Sequence, residues 1–469
     1  MKRLSEKFEL RGREVAGVLG TGPIGKIMGM TFTGISTDTR EIGKGELFVA
    51  LKGEKYDAHA FAWKAVEAGA SGLVVERGRK VDSRGAVLFE VDDTLKAYGD
   101  LANYWKRKMN VTTVAITGSM GKTTTREMLA GIAGRKMKVL ETEGNLNNLV
   151  GLPRTLLKLR AAHDAAIVEL GANHFGEIAR LTEICEPTIG AITNVGDAHL
   201  EFFKTRAGVA RAKTELFEKM LAGGCAVLNR DEKLIASAAA GRRLRKVTFG
   251  RKKADVVLKD YRPGRGWRSD LVMQVRGETI RTGIRATGEH NAMNALCAAA
   301  CAVAMGIGAS DIAKGLELFR PIHGRGVLEK AKSGATIIDD TYNANPSAVE
   351  MSMRALVERK GPGRAMAALG EMFELGRMSA ELHRKTGMAA ARIGVDEVLA
   401  CGIHAQDVVS GAKAFRGWRG RAASFTDLEE MAGRILANST KRDVILVKGS
   451  RASGMDRLVK ILREGPDVP

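Results

Sequence analysis

The stretch TGSMGKTTT, residues 117–125, holds the side-chain types that handle phosphate. Gly118 and Gly121 allow a ligand close to the backbone, Lys122 can reach terminal phosphate oxygens, and the Thr123 hydroxyl can ligate Mg²⁺. The spacing is unusual. A common phosphate-binding loop has a further glycine five residues before its last one, and here that position is Ile116. Two more residues fit the same chemistry. Glu169 falls near the end of the apolar run AAIVELGA, and His199 falls just after TIGAITNVG. A lone carboxylate is usually solvated or salt-bridged, and a lone histidine is usually a hydrogen-bonded structural one. Placed at matching ends of two buried strands, both could face the glycine loop as metal ligands.

These residues need elements to carry them. VTTVAIT (111–117) reads as a strand and TTREMLAGIAGRK as a helix, so the loop sits at a helix N-terminus, where amides and dipole favour an anion. AAIVELGA and TIGAITNVG are continuous apolar runs, as expected of strands covered on both faces of a parallel sheet. FGEIARLTEIC, GVARAKTELFEKML and HNAMNALCAAACAVAMG read as helices. Before this series, ELFVAL and GLVVER read as strands flanking a helical HAFAWKAVEAGA. DDTLKAYGDLANYWKRK, acidic at its start and basic at its end, reads as a helix closing a first domain. After HGRG the α/β alternation resumes, with ATIIDD, AMAALG, DEVLACG and DVILVKGS as strands. Three α/β domains are expected, at 1–109, 110–322 and 323–469.

Composition limits the function classes. The chain has 469 residues, 45% hydrophobic and 27% charged, the balance of an ordinary globular protein. No apolar run is long enough to span a bilayer, and the N-terminal stretch lacks the apolar segment of a secretory signal. Five scattered cysteines, two of them the helically spaced Cys297 and Cys301, read as small buried residues in a reducing cytoplasm. The formal charge of +20 suits anionic partners. The densest basic run, GRRLRK, lacks interleaved aromatics, and aromatics make up only 5% of the chain. Neither nucleic-acid binding nor membrane insertion is expected.

Taken in order, STDTR, GELFVALKGEKYDAHAF, TGSMGKTTT, GNLNNLVGLP, VELGANHFGEI, NVGDAHLEFF, AKTELF, GEHNAMNA, GRG, DDTYNANP, LGEMFELG and VKGSR resemble the Mur ligase family from about residue 36 to about residue 455. The shortened glycine loop is that family's own form. Departures are mild: Glu46 and Glu371 stand where the family often has Asp, and Ala58 where it often has Gly. The resemblance implies a three-domain α/β architecture, with a central ATP-binding parallel sheet and a Rossmann-like C-terminal domain. Gly118, Ser119, Met120, Gly121, Lys122, Thr123 and Thr124 would cradle the ATP phosphates. His290, Asn291 and Asn294 would contact the nucleotide, Asn294 at the adenine edge. Arg325 and Asp340 would touch phosphate and ribose, with Tyr342 and Asn343 near the adenine. Thr123, Glu169 and His199 would hold Mg²⁺, and Lys213, as a carbamate, would help hold a second ion. Lys122, Glu169, His199 and Lys213 would thus form the catalytic set. Ser36, Asp38 and Arg40 would bind a uridine diphosphate, and Asn145, Asn147, Asn148 and Asn173 the attached sugar-peptide.

The implied reaction is amide-bond formation through an acyl phosphate, in a cytoplasmic, monomeric enzyme of peptidoglycan precursor synthesis. TYNANP, and the absence of a DNPR segment, favour the branch that adds D-alanyl-D-alanine to UDP-N-acetylmuramoyl-tripeptide over the branch that adds a diamino acid. A simple P-loop kinase or NTPase would not need the DDTYNANP and VKGSR segments. A folylpolyglutamate-type ligase would lack the segment at 36–51.

Overall fold

The structure, a computed structural model, describes residues 7–23, 27, 29–236, 238–264 and 267–465. The first six residues, which carry part of the leader reading, lie outside these, as do the last four.

Three larger sheets follow one another along the chain, after a small antiparallel pairing of Leu10–Arg11 with Thr31–Phe32. In the N-terminal unit, β1 (Ile35–Ser36), β2 (Leu47–Val49), β3 (Gly72–Glu76) and β4 (Val87–Val91) lie parallel in that order. Helix α1 (Thr94–Met109) is capped by the Asp93 carboxylate, which accepts the Lys96 amide at 2.9 Å, and it ends in Lys106, Arg107 and Lys108, which suit its dipole. This helix is shared, not terminal. Trp105 donates its indole N–H to the Leu159 carbonyl at 3.1 Å, and the Asn103 amide donates to the Ile184 carbonyl at 2.9 Å. One apolar core runs from Phe89 and Trp105 to Leu156 and Leu181.

The central sheet contains β5 (Thr112–Thr117), β6 (Val139–Glu141), β7 (Ala165–Glu169), β8 (Ile189–Ile192), β9 (Cys225–Asn229), β10 (Arg245–Gly250), β11 (Val256–Pro263), β12 (Ser269–Val275) and β13 (Glu278–Ile284). Its order is β13-β12-β11-β10-β9-β8-β5-β7-β6. Pairing is parallel from β6 through β11, and β12 and β13 extend the edge antiparallel. The expected strands β5, β7 and β8 are buried almost throughout, which made them legible. The sequence reading did not include β9 to β13. β12 alternates buried and more exposed positions, the pattern of an antiparallel strand with one face covered. Helices α2 (Lys122–Ala133), α3 (Glu177–Cys185), α4 (Arg206–Lys219) and α5 (Glu289–Ala304) cover the sheet. The alanines of α5 pack into one core with Met128, Leu129 and Ile132 of α2, and Cys297 and Cys301 lie buried and unbridged there.

The C-terminal unit holds β14 (Val327–Lys330), β15 (Thr336–Asp339), β16 (Ala365–Leu369), β17 (Glu397–Cys401), β18 (Arg421–Phe425) and β19 (Val444–Lys448), in the order β14-β15-β19-β16-β17-β18. Only the β14–β15 pair is antiparallel. The last strand, β19, thus inserts between β15 and β16, and the carboxyl ends of β15 and β19 come side by side. Helix α6 (Pro346–Arg359) follows β15, its start fixed by Pro346 and by Asn345, whose side chain accepts the Ala348 amide at 2.9 Å.

Candidate active site between the central and C-terminal units

The glycine loop turns between β5 and α2 because its two glycines take φ values of +144° (Gly118) and +76° (Gly121). Both also need the space. A Cβ on Gly118 would overlap the Thr193 hydroxyl, and one on Gly121 would overlap the Asn294 amide. The loop is pinned to the chain leaving β8. Thr193 Oγ1 and Asn194 Nδ2 donate to the Met120 carbonyl at 2.6 and 3.1 Å, and the Ser119 hydroxyl accepts the Gly196 amide at 2.9 Å. Preformed amides at a helix N-terminus result.

Lys122 is half-buried rather than a free loop lysine, and its Nζ donates to the Gly118 carbonyl at 2.8 Å. Burial lowers its pKa to about 8; Glu169 opposes the shift and Arg325 adds to it. Glu169 ends β7, 1% exposed. Its carboxylate accepts the Thr123 hydroxyl at 3.1 Å and Arg126 Nε at 2.9 Å, so hydroxyl and carboxylate converge beside the loop. Arg126, absent from the sequence reading, is itself buried and also pairs with Glu141 at 2.7 Å and Glu127 at 2.6 Å. Its position one turn after Lys122, on the sheet-facing side of α2, was the available signal.

His199 follows β8 in a left-handed conformation, φ +54°. Its ring stands edge-on to Phe203. Lys213 on α4 is 1% exposed, its Nζ 5.9 Å from the centre of the Phe203 ring. Burial lowers its pKa to about 7; Lys122 adds to the shift, and Glu177 and Glu215 oppose it. A lysine with that value is substantially neutral at neutral pH, and a neutral amine is the form that reacts with CO₂.

From the other side, α5 presents a chain of amides. Asn291 donates to the Thr287 carbonyl at 2.8 Å and Asn294 donates to Asn291 at 3.1 Å. Burial lowers the His290 pKa to about 4, with Asp340 opposing and Lys448 adding. The C-terminal unit contributes Arg325, whose guanidinium stacks 3.9 Å from the Tyr342 ring centre, and Asp340, which accepts Lys448 Nζ at 2.7 Å and Ser352 Oγ at 2.6 Å. Lys448, the buried end of β19, was another residue the sequence reading left without a role; a lysine closing an apolar strand run was the cue.

One cavity of about 470 Å³ joins all of this. Ser119, Met120, Gly121, Lys122, Thr123, Thr124, Glu169 and His199 form one wall, and His290, Asn291, Asn294, Arg325, Asp340, Tyr342 and Asn343 another. Asn145, Asn147, Asn148 and Asn173 close an end. The Asn148 side chain accepts the Gly151 amide at 2.8 Å, and the Asn147 carbonyl accepts the Gly171 amide at 2.8 Å. Gly118 and Lys213 do not line the cavity. Ser36, Asp38 and Arg40 are not on it.

Family models match the same two units. A Mur ligase middle domain covers residues 116–302, and a Mur ligase glutamate ligase domain covers residues 324–451. The UDP-N-acetylmuramoyl-tripeptide–D-alanyl-D-alanine ligase of Escherichia coli (strain K12) is 34% identical over 93% of this chain and 94% of its own length. The chain belongs to the Mur ligase family. The enzyme of the same name from Bacillus subtilis (strain 168) is 32% identical over 92% of this Mur ligase and 93% of its own length. Among solved structures, MurF from Acinetobacter baumannii superposes with a TM-score of 0.89 at 32% identity, covering 98% of this chain and 99% of that one. MurF from Thermotoga maritima in complex with ADP gives 0.83 at 28% identity, covering 92% and 97%.

In this Mur ligase the residues expected at the uridine diphosphate form a separate, self-contained turn. Asp38 accepts Arg40 Nε at 2.9 Å and Nη2 at 2.6 Å, and the Ser36 hydroxyl accepts the Asp38 amide at 3.1 Å. The Arg40 hydrogen bonds hold the Asp38 pKa down at about 2. Among the described residues, no helix is long and apolar enough to cross a membrane.

Proposed function

We propose that this Mur ligase joins D-alanyl-D-alanine to UDP-N-acetylmuramoyl-tripeptide with cleavage of ATP, a step of peptidoglycan precursor synthesis. The observation that carries the reading is the single cavity in which a phosphate loop, two strand-end acids and a row of asparagines meet across two units. ATP would lie with its phosphates on the 118–124 loop, its ribose at Asp340 and its base toward Asn294. The N-terminal unit, residues 1–109, would hold the uridine diphosphate through Ser36, Asp38 and Arg40. Residues 110–322 and 323–469 would clamp the nucleotide between them.

The chemistry follows from the acceptor. A carboxylate resists an amine because oxide is a poor leaving group. Transfer of the ATP γ-phosphoryl to that carboxylate, with ADP leaving, makes an acyl phosphate; the neutral dipeptide amine then attacks its carbonyl carbon, phosphate leaves with the C–O bonding pair, and the nitrogen gives up a proton to become the amide. Lys122 and the loop amides would set fixed positive charge against the negative charge of the transferring group. The cavity lining mixes Lys122, Arg325 and Lys448 with Glu169, Glu177 and Asp340, so cations for phosphate stand beside carboxylates that can hold a metal.

The donor set fits Mg²⁺. The Thr123 hydroxyl and the Glu169 carboxylate are hard oxygen donors buried beside the loop, with His199 on the same wall. Bound there, the ion would neutralise phosphate charge. Lys213 is 1% exposed and its lowered pKa suits carbamylation, which would turn an amine that offers a second ion no negative charge into an anion that holds it. Mass spectrometry of the product formed from UDP-N-acetylmuramoyl-tripeptide, ATP and D-alanyl-D-alanine tests the reading. A mass gain of one dipeptide less water is expected, and the same gain from a free diamino acid in its place would reassign the amine substrate.

A further inference from the structure

The loop after β16 reaches from the C-terminal unit into the central one. Its root is fixed. Glu371, 7% exposed, accepts the His404 amide at 2.6 Å, and its own carbonyl accepts the Ser450 amide at 2.8 Å. The Met372 amide donates to His383 Nε2 at 3.0 Å, and His383 Nδ1 faces the Ser379 carbonyl at 2.8 Å. Both ring nitrogens of His383 are therefore engaged, and Glu371, His383 and His404 anchor the loop rather than bind a metal. The Phe373 amide donates to the Ser450 hydroxyl at 3.0 Å.

The tip crosses the gap. The Glu374 carbonyl accepts the Glu201 amide at 3.0 Å, and Glu374 Oε2 lies 2.5 Å from His199 Nδ1, off the line of a relaxed N–H bond. Gly376 packs against the Glu201 backbone, where an added Cβ would come within 3.3 Å of Cα. Glu374 and His199 both hold left-handed backbone conformations, φ +61° and +54°, that non-glycine residues seldom adopt. Such strain survives where surrounding contacts impose it, commonly at functional sites.

We propose that Glu374 is a positioning residue. Its carboxylate pairs with the Nδ1 side of His199 and leaves Nε2 for the metal–nucleotide site, so that the site is complete only when the C-terminal unit is docked. The carboxylate would act as such partners do on metal-ligating histidines elsewhere, fixing tautomer and ring orientation. The same loop leans on Ser450, two residues beyond the Lys448 that holds Asp340. The residues proposed for the ribose and for orienting the metal ligand thus hang on one anchored segment of the C-terminal unit.

The inference rests on the proposed reading of His199 as facing the metal–nucleotide site. Its test is Mn²⁺ binding to the ADP-bound protein, followed by electron paramagnetic resonance, in wild type, Glu374→Ala, Glu374→Gln, His199→Ala and the Glu374→Ala/His199→Ala pair. Glu374→Ala is expected to weaken Mn²⁺ by about tenfold or more, with metal-free ADP affinity and thermal midpoint unchanged. Glu374→Gln, whose amide oxygen still accepts a proton, should lose less. In the His199→Ala background, removing Glu374 should cost nothing further. Mn²⁺ affinities within twofold of wild type in both Glu374 variants overturn the proposal. So does a further full loss in the His199→Ala background, which would mean that Glu374 does not act through His199. A wild-type protein that holds no Mn²⁺ with ADP would instead bring down the metal-site reading.

Discussion

The glycine-loop cavity and the turn at Ser36–Arg40 both present charged groups for a phosphorylated ligand, yet they are built differently. In the cavity several key polar groups are held by a neighbour from another element: Glu169 by Arg126, Asp340 by Lys448, the Met120 carbonyl by Thr193. At the turn the partners are two residues apart, and the Arg40 side chain is 86% exposed. The cavity therefore pays its ordering cost during folding and meets the transferring phosphoryl group preorganised. The turn has only to recognise a group that does not react. Chemistry demands fixed dipoles; recognition tolerates a local motif with water around it.

That contrast breaks most sharply at Lys122. Lys122→Ala should lower kcat by at least about a hundredfold, or about 3 kcal/mol of barrier, because a fixed charge at the transferring group is lost. Stability should not fall, since burial already depresses the lysine's pKa to about 8. Turnover at saturating ATP and a thermal melt check both; wild-type-like turnover removes Lys122 from the mechanism.

Lys213→Ala should lose about a hundredfold in activity, with partial recovery on adding formate or acetate to fill the vacated space. Full activity without added acid would end the carbamate assignment. The buried amine has a further signature in CO₂-free buffer. Its folded-state pKa of about 7 lies below the ordinary 10.5. Between these values the unfolded chain binds a proton the folded one lacks, so this lysine's destabilising effect is full below about pH 7 and fades toward 10.5. Lys213→Met should therefore raise the melting temperature most in mild acid, and its advantage should shrink as pH rises. A constant difference across pH would show that the lysine is not desolvated.

Gly121→Ala sharpens the comparison without touching a charge. A Cβ there meets Asn294 and a backbone at φ +76°, so loop and α5 must part. ADP affinity should fall by about tenfold, equivalent to about 1.4 kcal/mol, measured by calorimetry. Unchanged affinity would detach Asn294 from the nucleotide. The smallest effect is expected at the turn. Asp38→Ala with Arg40→Ala should raise KM for the uridine substrate several-fold and leave KM for ATP unmoved. A matching loss of ATP binding would join two regions that the structure keeps apart.

The apolar strands β5, β7 and β8, the glycines, Lys122 and Thr123 were legible without coordinates because each belongs to a contiguous segment with its own pattern. So were Glu169 and His199, through their place at strand ends. Strands β10 to β13 were not, because half-covered strands such as β12 carry a weaker apolar signal than the buried runs beside the loop, whereas β9 is buried throughout and its short run CAVLN was there to be read. The sequence by itself determined a phosphate loop on a parallel α/β sheet, since loop, strand and helix are neighbours in the chain. Only the tertiary structure decided that Arg126 clasps Glu169, that β19 brings Lys448 to Asp340 more than a hundred residues away, and that Glu374 reaches His199. These pairs are set by sheet order and by the docking of one unit on another. Their partners are remote along the chain, so no local periodicity encodes them.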